Sequence, residues 1–192
     1  MPELPSTPRG AATRRRILDA ATEEFALRGI AGARIERIIS AARTNKAQLY
    51  GYFGNKDGLF AAVIADRTSD IVETIPFDAD DLPGWAVGLY EQNLRRPNLV
   101  RLIAWTRLER RSGGLWLDDP QSGPKLAAIA AAQAAGKLRE GDPFELLTLV
   151  IAMACAWSPV SHVFAATAED PQEDHERRKA LLRDAVRRVV EP

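Results

Sequence analysis

Residues 33–60 read ARIERIISAARTNKAQLYGYFGNKDGLF, and their spacing predicts a helix, a tight turn and a second, short helix rich in hydrogen-bond donors. Ile35, Ile38, Ile39 and Ala42 recur at i, i+3, i+4 and i+7, which makes one apolar stripe on a helix of about two to three turns. Arg43 to Asn45 interrupt that stripe, and Thr44 or Asn45 can cap the next helix. In the second helix Leu49 and Phe53 stand four apart and can pack back onto the first. Asn45, Lys46, Gln48, Tyr50 and Tyr52 are left for other directions.

Those residues suit a nucleic acid. Lys46 and Lys56 can neutralise phosphates, and the hydroxyls of Tyr50 and Tyr52 can donate to phosphate oxygens, which fixes position without reading sequence. Asn45 and Gln48 carry paired amide donors and acceptors that match a base edge such as adenine in the major groove. Taken alone, Tyr and Lys on a short helix make an ordinary solvated face; the order of the residues separates the two readings.

The segment Leu49, Tyr50, Gly51, Tyr52, Phe53, Gly54, Asn55, Lys56 resembles the helix-turn-helix of TetR-family transcriptional regulators, in which a Leu-Tyr-x-Tyr/His-Phe run is followed shortly by lysine. The likeness extends back through TRRRILDAATEEFALRG, residues 13–29, where Ile17, Ala21 and Phe25 form the inner face of a first helix and Gly29 is a natural left-handed C-cap. About fifty residues are covered, and three helices in this order are a specific signal. The resemblance implies an all-α fold: a three-helix DNA-binding domain over residues 1–56, tail included, and a larger ligand-binding and dimerisation domain over 57–192. It also implies a sequence-specific regulator, a repressor by family habit, and DNA contacts from Arg34, Thr44, Asn45, Lys46, Ala47, Gln48, Tyr50, Tyr52 and Lys56.

Two positions depart from the family pattern. Where the second helix begins, the family carries threonine or serine as a cap touching a phosphate, and this chain has Ala33 and Arg34. A cap contributing about 1 kcal/mol is therefore expected to be missing. Arg43 stands where the family turn carries glycine, a site that tends toward positive φ, which a residue with a Cβ adopts at a cost.

The neutral total of 26 basic and 26 acidic residues hides an asymmetry. Residues 1–60 hold ten Lys or Arg against six Asp or Glu, and the remainder holds sixteen against twenty, so the motif lies in the positive part. Arg9, Arg14, Arg15 and Arg16, before or within the first helix, could track a DNA backbone or merely solubilise. The first ten residues, with three prolines, are expected to be unstructured without DNA. A chain of 192 residues with 46% hydrophobic content can bury a real core. The start lacks the apolar region of a secretory signal, and no segment reaches the roughly 18 apolar residues of a membrane span. One cysteine makes no internal disulfide, and two histidines suggest no metal cluster and no cofactor. A reducing cytoplasm, with association to the nucleoid, is the simplest setting.

Beyond Lys56 the pattern stays helical. A long connecting helix marked by Leu59, Phe60, Val63, Ile64 and Ile71 is expected to end before Pro76. Further helices are expected from Pro83 to about Arg96, from Pro97, and from Pro124 to Leu138, with a loop over 112–122 and a turn around Gly141. After Asp142 as N-cap, residues 144–164 are apolar nearly all round, with Pro159 expected to kink or break the helix. The last helix carries Leu182, Ala185, Val186, Val189 and Val190 on one stripe. By resemblance the last two helices pair with their twins in a homodimer through Leu147, Val150, Ala154, Leu182, Ala185, Val186 and Val189, which would set two reading heads about 34 Å apart on a palindromic operator of double-stranded DNA.

The family also implies a pocket for a small effector, with Trp85, Tyr90, Trp105, Trp116, Met153, Cys155, Trp157 and His162 as candidate lining. The aromatic content suits an apolar or aromatic molecule. Each of these residues is more often plain core than ligand contact. Two rivals remain at this point. An all-helical enzyme would use Asp118 and Asp119, but these sit beside proline as in an ordinary turn, with no nucleophile–base pair in view. A dimeric ligand-binding or adaptor protein could keep the helix-turn-helix shape without using it on DNA.

Overall fold

A computed structural model describes residues 8–109 and 122–192, with the side chains of 68–74 excepted. The described residues form nine helices and no strand. They divide into two compact units: residues 1–71 with 101–111, and residues 72–100 with 112–192.

The first unit is the head. It holds α1 (Pro8–Gly32), α2 (Ile35–Ala41), α3 (Lys46–Phe53), most of α4 (Lys56–Thr74) and the later part of α6 (Pro97–Glu109). The expected inner face of α1 is there: Ile17, Ala21 and Phe25 are fully buried. Ile35, Ile38, Ala42, Leu49 and Phe53 join them in one core, with Ile39 packed at its edge. Leu59, Phe60 and Val63 of α4 complete it, the Phe60 ring edge-on to Phe25 at 5.1 Å between centroids. Leu102 of α6 is buried in the same core, so the compact unit takes in the start of α4 and part of α6 as well as residues up to 56. Within the first ten residues, expected to be unstructured, residues 8–10 are helical, since α1 starts at Pro8, where a missing amide costs nothing; residues 1–7 lie outside the described residues. Gly29 takes the left-handed conformation expected of it (φ 69°), and the chain makes one further turn before α2.

The second unit is built on α5 (Leu82–Arg95), which packs against both α8 (Pro143–Ala154) and α9 (Gln172–Val190), with α7 (Ser122–Ala134) beside α8. Asp81 caps α5 by accepting from the Gly84 amide at 2.8 Å, and Asp142 caps α8 by accepting from Phe144 at 2.7 Å. α7 begins two residues before Pro124 and ends at Ala134, ahead of Gly136 with φ 69°. The loop expected over 112–122 falls outside the described residues except for Ser122, which opens α7.

α8 stops at Ala154, well before Pro159 and the expected end near Phe164. The Cys155 amide bonds to the carbonyls of both Ile151 and Ala152, and Ser158 to Cys155, so the last turn tightens and the helix unwinds ahead of the proline. Of the expected dimer residues, Leu147, Val150, Ala154, Leu182 and Val186 are buried in the core of their own unit, whose α5 packs on both helices. The apolar residues left outward on these helices are Leu149 and Leu181, with Ala152 beside the first and Ala185 and Val189 half-buried on α9.

Candidate nucleic-acid interface

The reading helix α3 is held from below. Leu49 and Phe53 are buried, and Tyr50 and Tyr52 are half-buried against the same core, so their rings are fixed while their edges stay accessible. Asn45 is the N-cap: its side-chain oxygen accepts from the Gln48 amide at 2.9 Å. The Thr44 hydroxyl donates to the Gln48 side-chain oxygen at 2.6 Å, which leaves the Gln48 amide nitrogen with its two donors outward. Ala47, exposed between Lys46 and Gln48, adds no bulk that would keep the helix off a groove floor.

Lys46 is exposed, 3.5 Å from Glu36 and over the Tyr50 ring at 5.9 Å. Glu36 titrates below the ordinary glutamate range, first because its own backbone amide donates to it and then because of Lys46 and Arg34 nearby. Lys56, expected on a phosphate, donates to the Ala31 carbonyl at 3.3 Å. Arg34 is exposed and serves as N-cap residue of α2 with no side-chain cap, as its sequence implied.

Sequence reasoning missed a contact at the start of α2. Glu24 of α1 accepts from the Arg34 amide at 3.0 Å and from the Arg37 guanidinium at 2.7 Å. Burial works to raise the Glu24 pKa, but the hydrogen bonds from Arg37 and Arg34 outweigh it and hold the carboxyl below its ordinary range. Arg43 has φ 50°, the one positive φ at a non-glycine among the described residues, and its side chain is exposed beside α3. The basic start of α1 is partly committed within the head. Arg15 pairs with Asp19 and Asp66, Arg16 donates to the Ala42 carbonyl at 3.1 Å, and Arg14 lies over the Phe53 ring.

Of the residues expected around an effector, most of the described ones belong to the second unit. In the second unit Trp85 and Tyr90 are buried, with Met153 and Trp157 at the edge of the same core and Cys155 within 3.7 Å of the Asn93 amide nitrogen. Tyr90 bonds to His175 Nδ1 at 2.7 Å and meets the Trp157 ring edge-on. His162 is exposed, Trp105 belongs to the head, and Trp116 lies outside the described residues. An open groove of about 440 Å³ lies elsewhere in the unit, lined by Gln133, Arg139, Asp142, Glu145, Leu149 and Val189.

Residues 17–63 match the family model for bacterial regulatory proteins of the tetR family, and residues 81–188 match that of the tetracyclin repressor-like C-terminal domain. The chain belongs to the TetR family. It is 40% identical over 147 residues to the HTH-type transcriptional repressor SCO4008 of Streptomyces coelicolor, covering 74% of this chain and 77% of that protein. It is 30% identical over 156 residues to the HTH-type transcriptional repressor NicS of Pseudomonas putida, covering 74% of each. Among solved structures it resembles the transcriptional regulator SCO4942 of Streptomyces coelicolor at 38% identity and a TM-score of 0.78, over 93% of this chain and 98% of that one. It shares the fold, at 18% identity and a TM-score of 0.68, with AibR in complex with isovaleryl coenzyme A and operator DNA, over 94% of this chain and 99% of that one. This TetR-family protein is thus a DNA-binding transcriptional regulator with an N-terminal helix-turn-helix and a helical C-terminal domain.

Proposed function

We propose that this TetR-family protein is a ligand-responsive repressor that binds a palindromic operator as a homodimer. The observation that carries the reading is α3 itself: a rigidly seated helix with Gln48 aimed outward, its oxygen tied to Thr44, and Lys46, Tyr50 and Tyr52 around it. In this reading Gln48 reads a base edge, while Lys46, Tyr50, Tyr52, Arg34 and Lys56 hold the phosphates. The dimer forms through the outward apolar residues of α8 and α9, Leu149 and Leu181 foremost, since residues already buried in the protomer cannot also bury a partner. A two-fold dimer then matches half-sites one helical turn, about 34 Å, apart.

The effector is small and mostly apolar. Tyr90, Trp157, Met153 and Trp85 supply aromatic and polarisable surface, and Gln92 Nε2 and Ser158 Oγ are buried without a hydrogen-bond partner among the described residues, so one or two acceptors on a bound molecule would be well received. That one fold can hold a ligand together with operator DNA is supported by AibR with isovaleryl coenzyme A. The ligand acts by population shift: it prefers an arrangement of the second unit in which α4 no longer holds the heads at operator spacing. The test is a compound screen by thermal shift, followed by operator titration at fixed salt. A stabilising compound that releases operator supports the reading. A compound that saturates the second unit and leaves operator affinity unchanged contradicts it.

A further inference from the structure

Gly29 interrupts α1, and an interrupted helix leaves unpaired groups on both sides of the break. An unbroken α1 would join the Ile30 amide to the Ala26 carbonyl. Here Gly29, at φ 69° and ψ −179°, turns the chain out of the helical path between them, and α6 supplies a partner to each of the two groups. The Trp105 indole N–H donates to the Ala26 carbonyl at 3.2 Å. The Glu109 carboxylate accepts from the Ile30 amide at 3.0 Å and, through its other oxygen, from the Ala31 amide at 2.8 Å. The fit is close: a Cβ added at Gly29 would collide with Glu109 Oε1 and lie 2.8 Å from the Trp105 ring. Just beyond the break, the Ala31 carbonyl takes Lys56, the Gly32 carbonyl takes Arg37, and the Arg34 amide goes to Glu24. The direction in which α2 and α3 leave α1 is therefore set at residues 29–34, and α6 holds the first part of it.

We propose that Trp105 and Glu109 are positioning residues for DNA recognition: they hold the α1 break open and so fix how α3 is presented, without touching DNA. When they let go, the Ile30–Ala26 bond is free to re-form and the reading helix turns away. This gives the head two discrete arrangements, which is what a control point needs. The inference rests on the DNA-reading role of α3 given above.

The experiment measures affinity for the selected operator and for random duplex in wild type, Glu109→Ala, Glu109→Gln and Gly29→Ala, with amide hydrogen exchange at Ile30 and Ala31. Charge-assisted bonds to two amides lead to a loss of about tenfold or more in operator affinity for Glu109→Ala. Glu109→Gln, keeping one acceptor, falls between, and Gly29→Ala reproduces the loss from the other side of the contact. Random-duplex affinity falls by clearly less than operator affinity, because phosphate contacts carry no base register and tolerate a changed angle of α3 better than a base contact does, and it serves as the control for folding. Exchange at Ile30 and Ala31 rises in Glu109→Ala. Operator affinity unchanged in Glu109→Ala, or lost in proportion with random-duplex affinity, overturns the positioning role. A wild-type chain with no preferred sequence overturns the regulator reading itself, a failure distinguished by occurring before any variant is compared.

Discussion

The Thr44 hydroxyl donates to the side-chain oxygen of Gln48 across one turn of the reading helix, at 2.6 Å, and so fixes which end of the Gln48 amide faces outward. A free glutamine can present either its oxygen or its nitrogen to a base; here the nitrogen faces outward, and in the proposed reading it meets acceptors in the major groove.

Gln48→Ala accordingly weakens the preferred operator by about 1–3 kcal/mol and relaxes preference at one position, with random duplex unaffected. Thr44→Val, which keeps shape but removes the donor, gives a smaller loss and a broader choice at the same position. Binding-site selection with each variant reads both effects. Equal losses on operator and random DNA for Gln48→Ala contradict base reading.

Arg43 separates stability from binding. Its φ of 50° favours glycine, so Arg43→Gly stabilises the folded chain by about 0.5–1 kcal/mol in urea unfolding. The same change removes an exposed charge beside α3, and the slope of log affinity against log salt falls by about one. A stability gain with an unchanged slope would mean that Arg43 makes no phosphate contact.

The carboxyl of Glu24 accepts from the amide of Arg34, the N-cap residue of α2, and its lowered pKa gives a pH signature. A folded value below the ordinary 4.5 means stabilisation that is complete above that pH and is lost as pH falls through the lower, folded value. The stability difference between wild type and Glu24→Gln is thus full at neutral pH and narrows in acid. Urea unfolding at a series of pH values measures it. A difference that stays constant from neutral to strongly acid conditions would place the contribution elsewhere.

Two leucines two residues apart on α8 have different duties. Leu147 is 2% exposed inside its unit, and Leu147→Ala costs about 2–5 kcal/mol of stability. Leu149 is 46% exposed, and Leu149→Glu leaves the fold intact while shifting dimer to monomer in light scattering. A monomeric wild type, or a Leu149→Glu protein that stays dimeric, contradicts the proposed interface.

Much of the head was legible because its signals are local. The stripe from Ile35 to Ala42, the pair Leu49 and Phe53, the cap at Asn45 and the positive φ at Arg43 each depend on neighbours within a few residues. Glu24 and Glu109 left no such mark, since they act on amides ten and almost eighty residues away. The pairing of Tyr90 with His175, 85 positions apart, was hidden for the same reason. In α8 the signal was too uniform. An apolar run on every side does not say which stripe meets α5 and which is left for a partner, nor that the helix ends at Ala154 before its proline.

The central reading is tested most directly by selecting bound sequences from a random duplex library with the full chain at near-physiological salt, then titrating the winner. A palindromic consensus with half-sites one helical turn apart, bound at about 10⁻⁸ M or tighter, is the predicted result. Weak binding that is blind to sequence would contradict it and leave the head as a helix-turn-helix in shape alone.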